Sequence, residues 1–165
     1  MADVIEELKR EAIRVEEDCN YSSKGHFEQS ARWKKVHYWL GIPSALIAGC
    51  AGISAFEGHI LLAGGLAILV TAFTSIITFL NPSGKSSEHL SSGNSYLTLR
   101  NKARLFRNVH ATLSTEKELR DMLLALSNHR DDLNSTSPQI SKGCFEKARK
   151  NIEEGQTNYK VDEKS

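Results

Sequence analysis

The stretch 36–80, VHYWLGIPSALIAGCAGISAFEGHILLAGGLAILVTAFTSIITFL, decides the fold, because its 45 residues hold a single Asp, Glu, Lys or Arg, Glu57. As one continuous helix it would extend about 67 Å, roughly twice the ~30 Å hydrocarbon core of a bilayer. Divided at Glu57 it yields residues 36–56 and 60–80, each 21 residues long, a length that suits one helical crossing apiece. A glutamate at the bilayer centre costs on the order of 3 kcal/mol, whereas one in a turn between two crossings costs little. Residues 57–59, Glu-Gly-His, are therefore read as the tip of a transmembrane hairpin, with Gly58 supplying a backbone angle that other residues resist. Glu57 keeps two readings, a solvated turn residue and a selectivity charge at a pore mouth.

Outside this tract the chain has a different character. The mean hydropathy of −0.35 is that of a soluble protein, and the 165 residues suit about one domain. That average conceals segregation, since every Asp, Glu, Lys and Arg other than Glu57 lies in the flanks. A net charge of +1 argues against a nucleic-acid binder, which concentrates positive charge on one face. The opening MADVIEELKREAIRVEED alternates acids and bases and lacks the basic and apolar regions of a cleavable signal, so export information must lie inside the chain. Cys19, Cys50 and Cys144 are isolated, which points to reduced thiols and to neither a disulfide framework nor a metal site.

Orientation follows from the positive charges. Arg32, Lys34 and Lys35 precede the first span and Lys85 follows the second, while the tip has no lysine or arginine. The positive-inside rule then puts both termini in the cytoplasm, and Trp33, Tyr38 and Trp39 suit an interfacial aromatic belt. In a bacterium this is a multi-pass protein of the inner membrane.

Within the first span, Pro43 cannot mark the helix start, because the 13 residues 44–56 would reach only about 20 Å. The helix must already be running, and Pro43 removes the hydrogen bond to the Trp39 carbonyl, which predicts a kink or hinge. Small residues recur every fourth position, Gly41, Ala45 and Gly49 on one line and Ser44, Ala48 and Gly52 on the next, the pattern that lets membrane helices approach closely. One face can serve intramolecular packing and the other a neighbouring copy, so a homo-oligomer is expected. The second span carries Thr71, Thr74, Ser75 and Thr78, a hydroxyl stripe. Such a stripe can line an aqueous path between copies, or each hydroxyl can simply bond the carbonyl one turn back.

The flanks read as helices and contain no strand pattern. Before the membrane, Ile5, Leu8, Ala12, Val15 and Cys19 follow 3-4 spacing, and the register continues through Ser22, His26 and Gln29 to Trp33, an amphipathic helix over 1–35 that Gly25 weakens. After the second span, NPSGKSS breaks the helix at Pro82 and Gly84. Tyr96, Leu99, Ala103, Phe106, His110 and Leu113 then form nearly three heptads. Thr115 with Glu118 makes a capping box ahead of Leu119, Met122, Leu126 and Leu133, and Ser141 is placed to cap a last helix ending near Gly155. Cytoplasmic helices thus fill 81–155, and the polar 156–165 reads as a flexible tail. Arg100, Lys102, Arg104 and Arg107 make a basic face, read either as solvated or as a contact for anionic headgroups or a phosphorylated ligand. The scattered histidines receive no chemical role.

Enzymatic chemistry is not expected. SGKSS at 83–87 has the ending of a phosphate-binding loop, but Phe79 stands where the motif needs glycine and a membrane helix precedes it where a strand is required. No nucleophile elbow, zinc-protease motif or carboxylate pair appears.

The run HFEQSARWKKVHYWLGIPSALIAGCAGISAF, with His26, Ala31, Trp33, His37, Leu40, Gly41 and Pro43, resembles the SLATT family, the SMODS and SLOG-associating two-transmembrane effector domains of bacteria. YLTLRNKARLFRNV and SPQISKGCFEKARKNIEEG are similar to that family's cytoplasmic helices, so the likeness covers roughly residues 10–155. The resemblance implies a membrane effector of anti-phage conflict systems that forms a pore and kills or arrests the infected cell. It also implies a partner, a nucleotide second-messenger synthase or a nucleotide-sensing SLOG protein. No fused sensor domain is expected in this chain, so the expected trigger is a separate protein, a small molecule bound by the cytoplasmic helices, or another signal. The alternative is a non-conducting, membrane-anchored helical adaptor that docks a signalling partner. In the pore reading Thr71, Ser75 and Thr78 line the conduit, Gly41, Ala45 and Gly49 pack helices, and Pro43 couples the two parts.

Overall fold

The computed structural model describes residues 2–156, and among these it is helical throughout with no strand. The expected tail, all but its first residue, lies outside the described residues. Helix α1 runs Ala2–Phe56, α2 Ile60–Leu80, α3 Pro82–Leu105, α4 Ala111–Leu113, α5 Glu116–Thr136 and α6 Lys142–Glu153, with a π-helical turn at Phe106–His110 between α3 and α4. Two compact units divide the chain, Ser30–Ser87 on one hand and Met1–Gln29 with Glu88–Ser165 on the other.

In the first unit α1 and α2 are long and apolar enough to cross a membrane. Only 11% of the apolar window of α1 and none of that of α2 is buried, unlike the core helix of a soluble protein. Large apolar side chains are exposed along both helices, including Trp39, Leu46, Phe56, Leu61, Ile68 and Phe79, which in water would form a far larger apolar surface than soluble monomers show. The more covered positions of α1 include Trp33, His37, Leu40, Ser44, Ile47, Ala51 and Ser54, spaced by three and four, with Val36, Gly41 and Pro43 beside them. Ala63, Leu66, Val70, Phe73 and Ile77 are spaced likewise on α2.

The turn after α1 is built to stop a helix. Gly58 adopts φ +78°, its N–H donates to the Ala55 carbonyl, and the His59 N–H donates to Ser54. These two bonds are a Schellman motif, which satisfies carbonyls that the helix end would otherwise leave open. In the same unit, the Ser30 hydroxyl of α1 donates to the Ser86 carbonyl of α3 at 2.8 Å and the Ser86 hydroxyl to the Ser30 carbonyl at 3.0 Å.

The break after α2 is shorter than the sequence suggests. Asn81 alone leaves the helix, at φ 42°, and Pro82 is the first residue of α3. Proline suits that position, having no N–H to leave unsatisfied and a φ already helical. Gly84 then lies inside the helix, its N–H held by Asn81 Oδ1 at 3.1 Å, and a Cβ there would run into the Asn81 side-chain amide.

The second unit has a conventional core. Ala12, Val15 and Cys19 of α1 meet Tyr96, Leu99 and Ala103 of α3, Phe106 of the π turn, and Leu119, Leu123 and Leu126 of α5. The heptad reading of α3 fails beyond Phe106. The Ala111 N–H reaches back five residues to the Phe106 carbonyl, and this π turn inserts one residue. Ala111 therefore takes the buried place expected of His110, and Leu113 is left exposed. Likewise Leu123 rather than Met122 faces the core. Gly25 does not mark a weak point but a close approach, since a Cβ there would lie 2.9 Å from Ile140 Cδ1.

Candidate functional site

The hydroxyl stripe of α2 is exposed and off the covered face of the helix. Thr71 donates to the Ala67 carbonyl at 2.9 Å, Thr74 to Val70 at 2.9 Å, Ser75 to Thr71 at 2.7 Å and Thr78 to Thr74 at 2.9 Å. Each hydroxyl thus places its proton on the helix's own backbone and keeps its oxygen available as an acceptor. Glu57 sits at the turn, largely exposed, with its carboxylate 3.9 Å from His59 Nε2.

The glycines of the small-residue lines of α1 leave open space beside them. A Cβ added at Gly41, Gly49 or Gly52, or at Gly64 or Gly65 of α2, would meet nothing within 4 Å among the described residues. Ala45 is exposed beside them. Pro43 lies inside α1, where it has no N–H to give the Trp39 carbonyl. Ser44 instead turns its hydroxyl onto the Leu40 carbonyl at 2.8 Å.

Of the remaining residues that carried the family likeness, Trp33 has the Lys85 ammonium 4.5 Å from its ring centroid. This is a cation–π contact. His37 packs against Tyr38 with ring centroids 5.7 Å apart, and its Nδ1 is buried without a hydrogen-bond partner among the described residues.

His26 belongs to the helical unit and has a partner the sequence did not disclose. Its Nδ1 lies 3.0 Å from Nδ1 of His89, with the two residues only 2% and 4% exposed. The Tyr96 ring stacks on His26 at 5.4 Å, and its hydroxyl donates to Asn134 Oδ1 at 2.9 Å. Burial, reinforced by the neighbouring imidazole, pushes the His26 pKa down to about 4. His89 is lowered too, by burial against the opposing pull of Glu88. Both rings are therefore neutral at pH 7, and one must donate while the other accepts.

The basic face is only partly a face. Lys102 is exposed, but Arg100, Arg104 and Arg107 are half-buried, and Arg107 pairs with Glu16 at 3.3 Å. Arg100 and Arg107 border a cleft of about 300 Å³ with Glu16, Glu17, Asn20 and Tyr21, so the positive charge there is largely matched. Among the described residues no group of three or more His, Cys, Asp or Glu side chains could hold a metal. Cys19 and Cys144 are buried and Cys50 exposed, all three free thiols, with burial and then nearby Asp18 pushing Cys19 up to about 12.

No protein-family model, no curated protein and no solved structure matches this chain.

Proposed function

We propose that this chain is a two-pass bacterial inner-membrane effector of the SLATT type, a homo-oligomeric pore former rather than an enzyme. Helices α1 and α2 form an antiparallel hairpin with its tip at 57–59 in the periplasm and both termini in the cytoplasm. A nucleotide-sensing partner triggers it, and the resulting leak kills or arrests the cell. The observation that carries this reading is the large exposed apolar surface of residues 36–80, carried on two helices joined by a glycine-capped turn. Lipid is the solvent such a surface requires.

Support for association comes from the open glycine positions at 41, 49 and 52, which leave room for the backbone of another helix. In the proposed oligomer Thr71, Thr74, Ser75 and Thr78 of neighbouring copies face one another, each with an acceptor oxygen free for a cation. Pro43 would let the membrane portion bend as the cytoplasmic helices rearrange. Expressed with its triggering system, the protein should collapse the membrane potential, and Ser75→Phe should blunt the collapse. Full depolarisation by the variant would remove the stripe from the conduit.

A second reading, the non-conducting adaptor, draws on the same hydroxyls. All four donate to their own helix, an arrangement that a purely lipid-facing anchor also uses. Replacing 36–80 with an unrelated hairpin preserves activity under this reading and abolishes it under the first.

A further inference from the structure

We propose that the entry of the first span holds one anionic phospholipid, its headgroup on Lys34 and Lys35 and its glycerol and upper acyl chain against Tyr38, Trp39, Ile42 and Pro43. The proposal rests on the membrane-crossing reading above.

A shallow, almost wholly apolar groove of about 260 Å³ is lined by Tyr38, Trp39, Ile42 and Pro43. Every one of these residues comes from α1, so no second helix covers it, and Trp39 is 79% exposed. Helical spacing sets a charge below each ring. Lys34 is four residues before Tyr38, and Lys35 is four before Trp39 and seven before Ile42, which places ammonium, aromatic ring and aliphatic chain in order along one face. Both lysines are exposed, and neither forms an ion pair among the described residues.

That order matches a single ligand chemistry. A phosphodiester needs a cation at headgroup depth, the glycerol esters need an amphipathic ring at the interface, and the chain needs an apolar groove below it. Leu46, one turn beyond Ile42, is 67% exposed and extends the apolar track, while Gly49 beyond it presents no side chain. A zwitterionic lipid fits the groove equally well but brings its own cation, which the lysines repel. Selectivity should therefore lie in headgroup charge, with each lysine near the surface worth on the order of fivefold in affinity.

The two tryptophans make the test direct. Trp33→Phe leaves Trp39 as sole reporter in the full-length chain, reconstituted in vesicles carrying brominated phosphatidylcholine or brominated phosphatidylglycerol. Competitive quenching of Trp39 should give about a tenfold to thirtyfold preference for phosphatidylglycerol, falling toward one in Lys34→Gln/Lys35→Gln and at about 0.5 M salt. Equal quenching by the two lipids in the parent would overturn the lipid site and leave the membrane crossing standing. Quenching by neither lipid would overturn both. Circular dichroism of the double glutamine variant, whose changed residues are exposed, establishes that it remains folded.

Discussion

His26 and His89, sixty-three residues apart, share one hydrogen bond between their Nδ1 atoms at 3.0 Å in the core of the helical unit. Two Nδ1–H tautomers cannot face each other, so one ring carries its proton on Nδ1 and the other on Nε2. Both folded pKa values lie below the ordinary 6.5, His26 at about 4. The unfolded chain therefore binds protons between about pH 6.5 and 4 that the folded chain refuses. The pair's contribution to stability is complete above pH 6.5 and lost as pH falls toward 4. Thermal unfolding of the parent should drop between pH 7.5 and 5 by more than that of His26→Gln/His89→Gln, which keeps a hydrogen-bonding pair without the titration. Equal drops would contradict this.

Gly93 and Gly143 should respond oppositely to alanine. A Cβ at Gly93 would stand 2.7 Å from the Phe27 ring, whereas at Gly143 it would meet nothing within 4 Å among the described residues. Gly93→Ala should cost about 1–3 kcal/mol through overpacking. Gly143→Ala should stabilise by up to about 1 kcal/mol through helix propensity. Denaturant melts of the two variants decide the matter.

Thr115 and Glu118 close a reciprocal cap on α5, with the Thr115 N–H 2.8 Å from Glu118 Oε2. Thr115→Ala should destabilise α5 by about 1 kcal/mol. The hydrogen bonds from the Thr115 backbone and side chain hold the Glu118 carboxyl below its ordinary value, so the stabilisation is present above about pH 4.5 and lost on acidification through the lowered pKa. A carboxyl titration by NMR should find Glu118 returning upward in the alanine variant.

Gln29 is nearly buried and its Oε1 accepts both the Ser141 backbone N–H at 3.1 Å and the Ser141 hydroxyl at 2.6 Å. Ser141 therefore occupies the cap position of α6 without capping it through its own side chain. Gln29→Leu should strand these donors and cost about 1–3 kcal/mol. Hydrogen exchange at the start of α6 should quicken by more than at the end of α5.

What the sequence disclosed and what it withheld divide along physical lines. The turn at 57–59 was legible because span length and a lone acid flanking a glycine leave few alternatives, and the Thr115 box because its two partners are three residues apart. The break at Asn81 was misplaced because proline and glycine read as punctuation, whereas Pro82 starts a helix and Gly84 fits beneath the Asn81 side chain. The π turn has no composition signal, and one extra residue there moved burial from His110 to Ala111. The His26 to His89 contact and the paired Ser30 and Ser86 hydroxyls join positions far apart in the chain, and periodicity along one helix cannot register either. Helical spacing did bring out the hydroxyl stripe, but where those oxygens point in an assembly depends on copies of the chain that a single sequence does not position.

The central claim, a hairpin that enters and leaves the lipid from the cytoplasmic side, is tested most directly by cysteine accessibility in intact cells. Native Cys19 and Cys144 are buried and Cys50 lies within the first span, so background labelling should be low. Glu57→Cys should react with a membrane-impermeant maleimide from outside the inner membrane, and Lys117→Cys, exposed in the helical unit, only after that membrane is breached. Labelling of both positions from the same side would contradict the account.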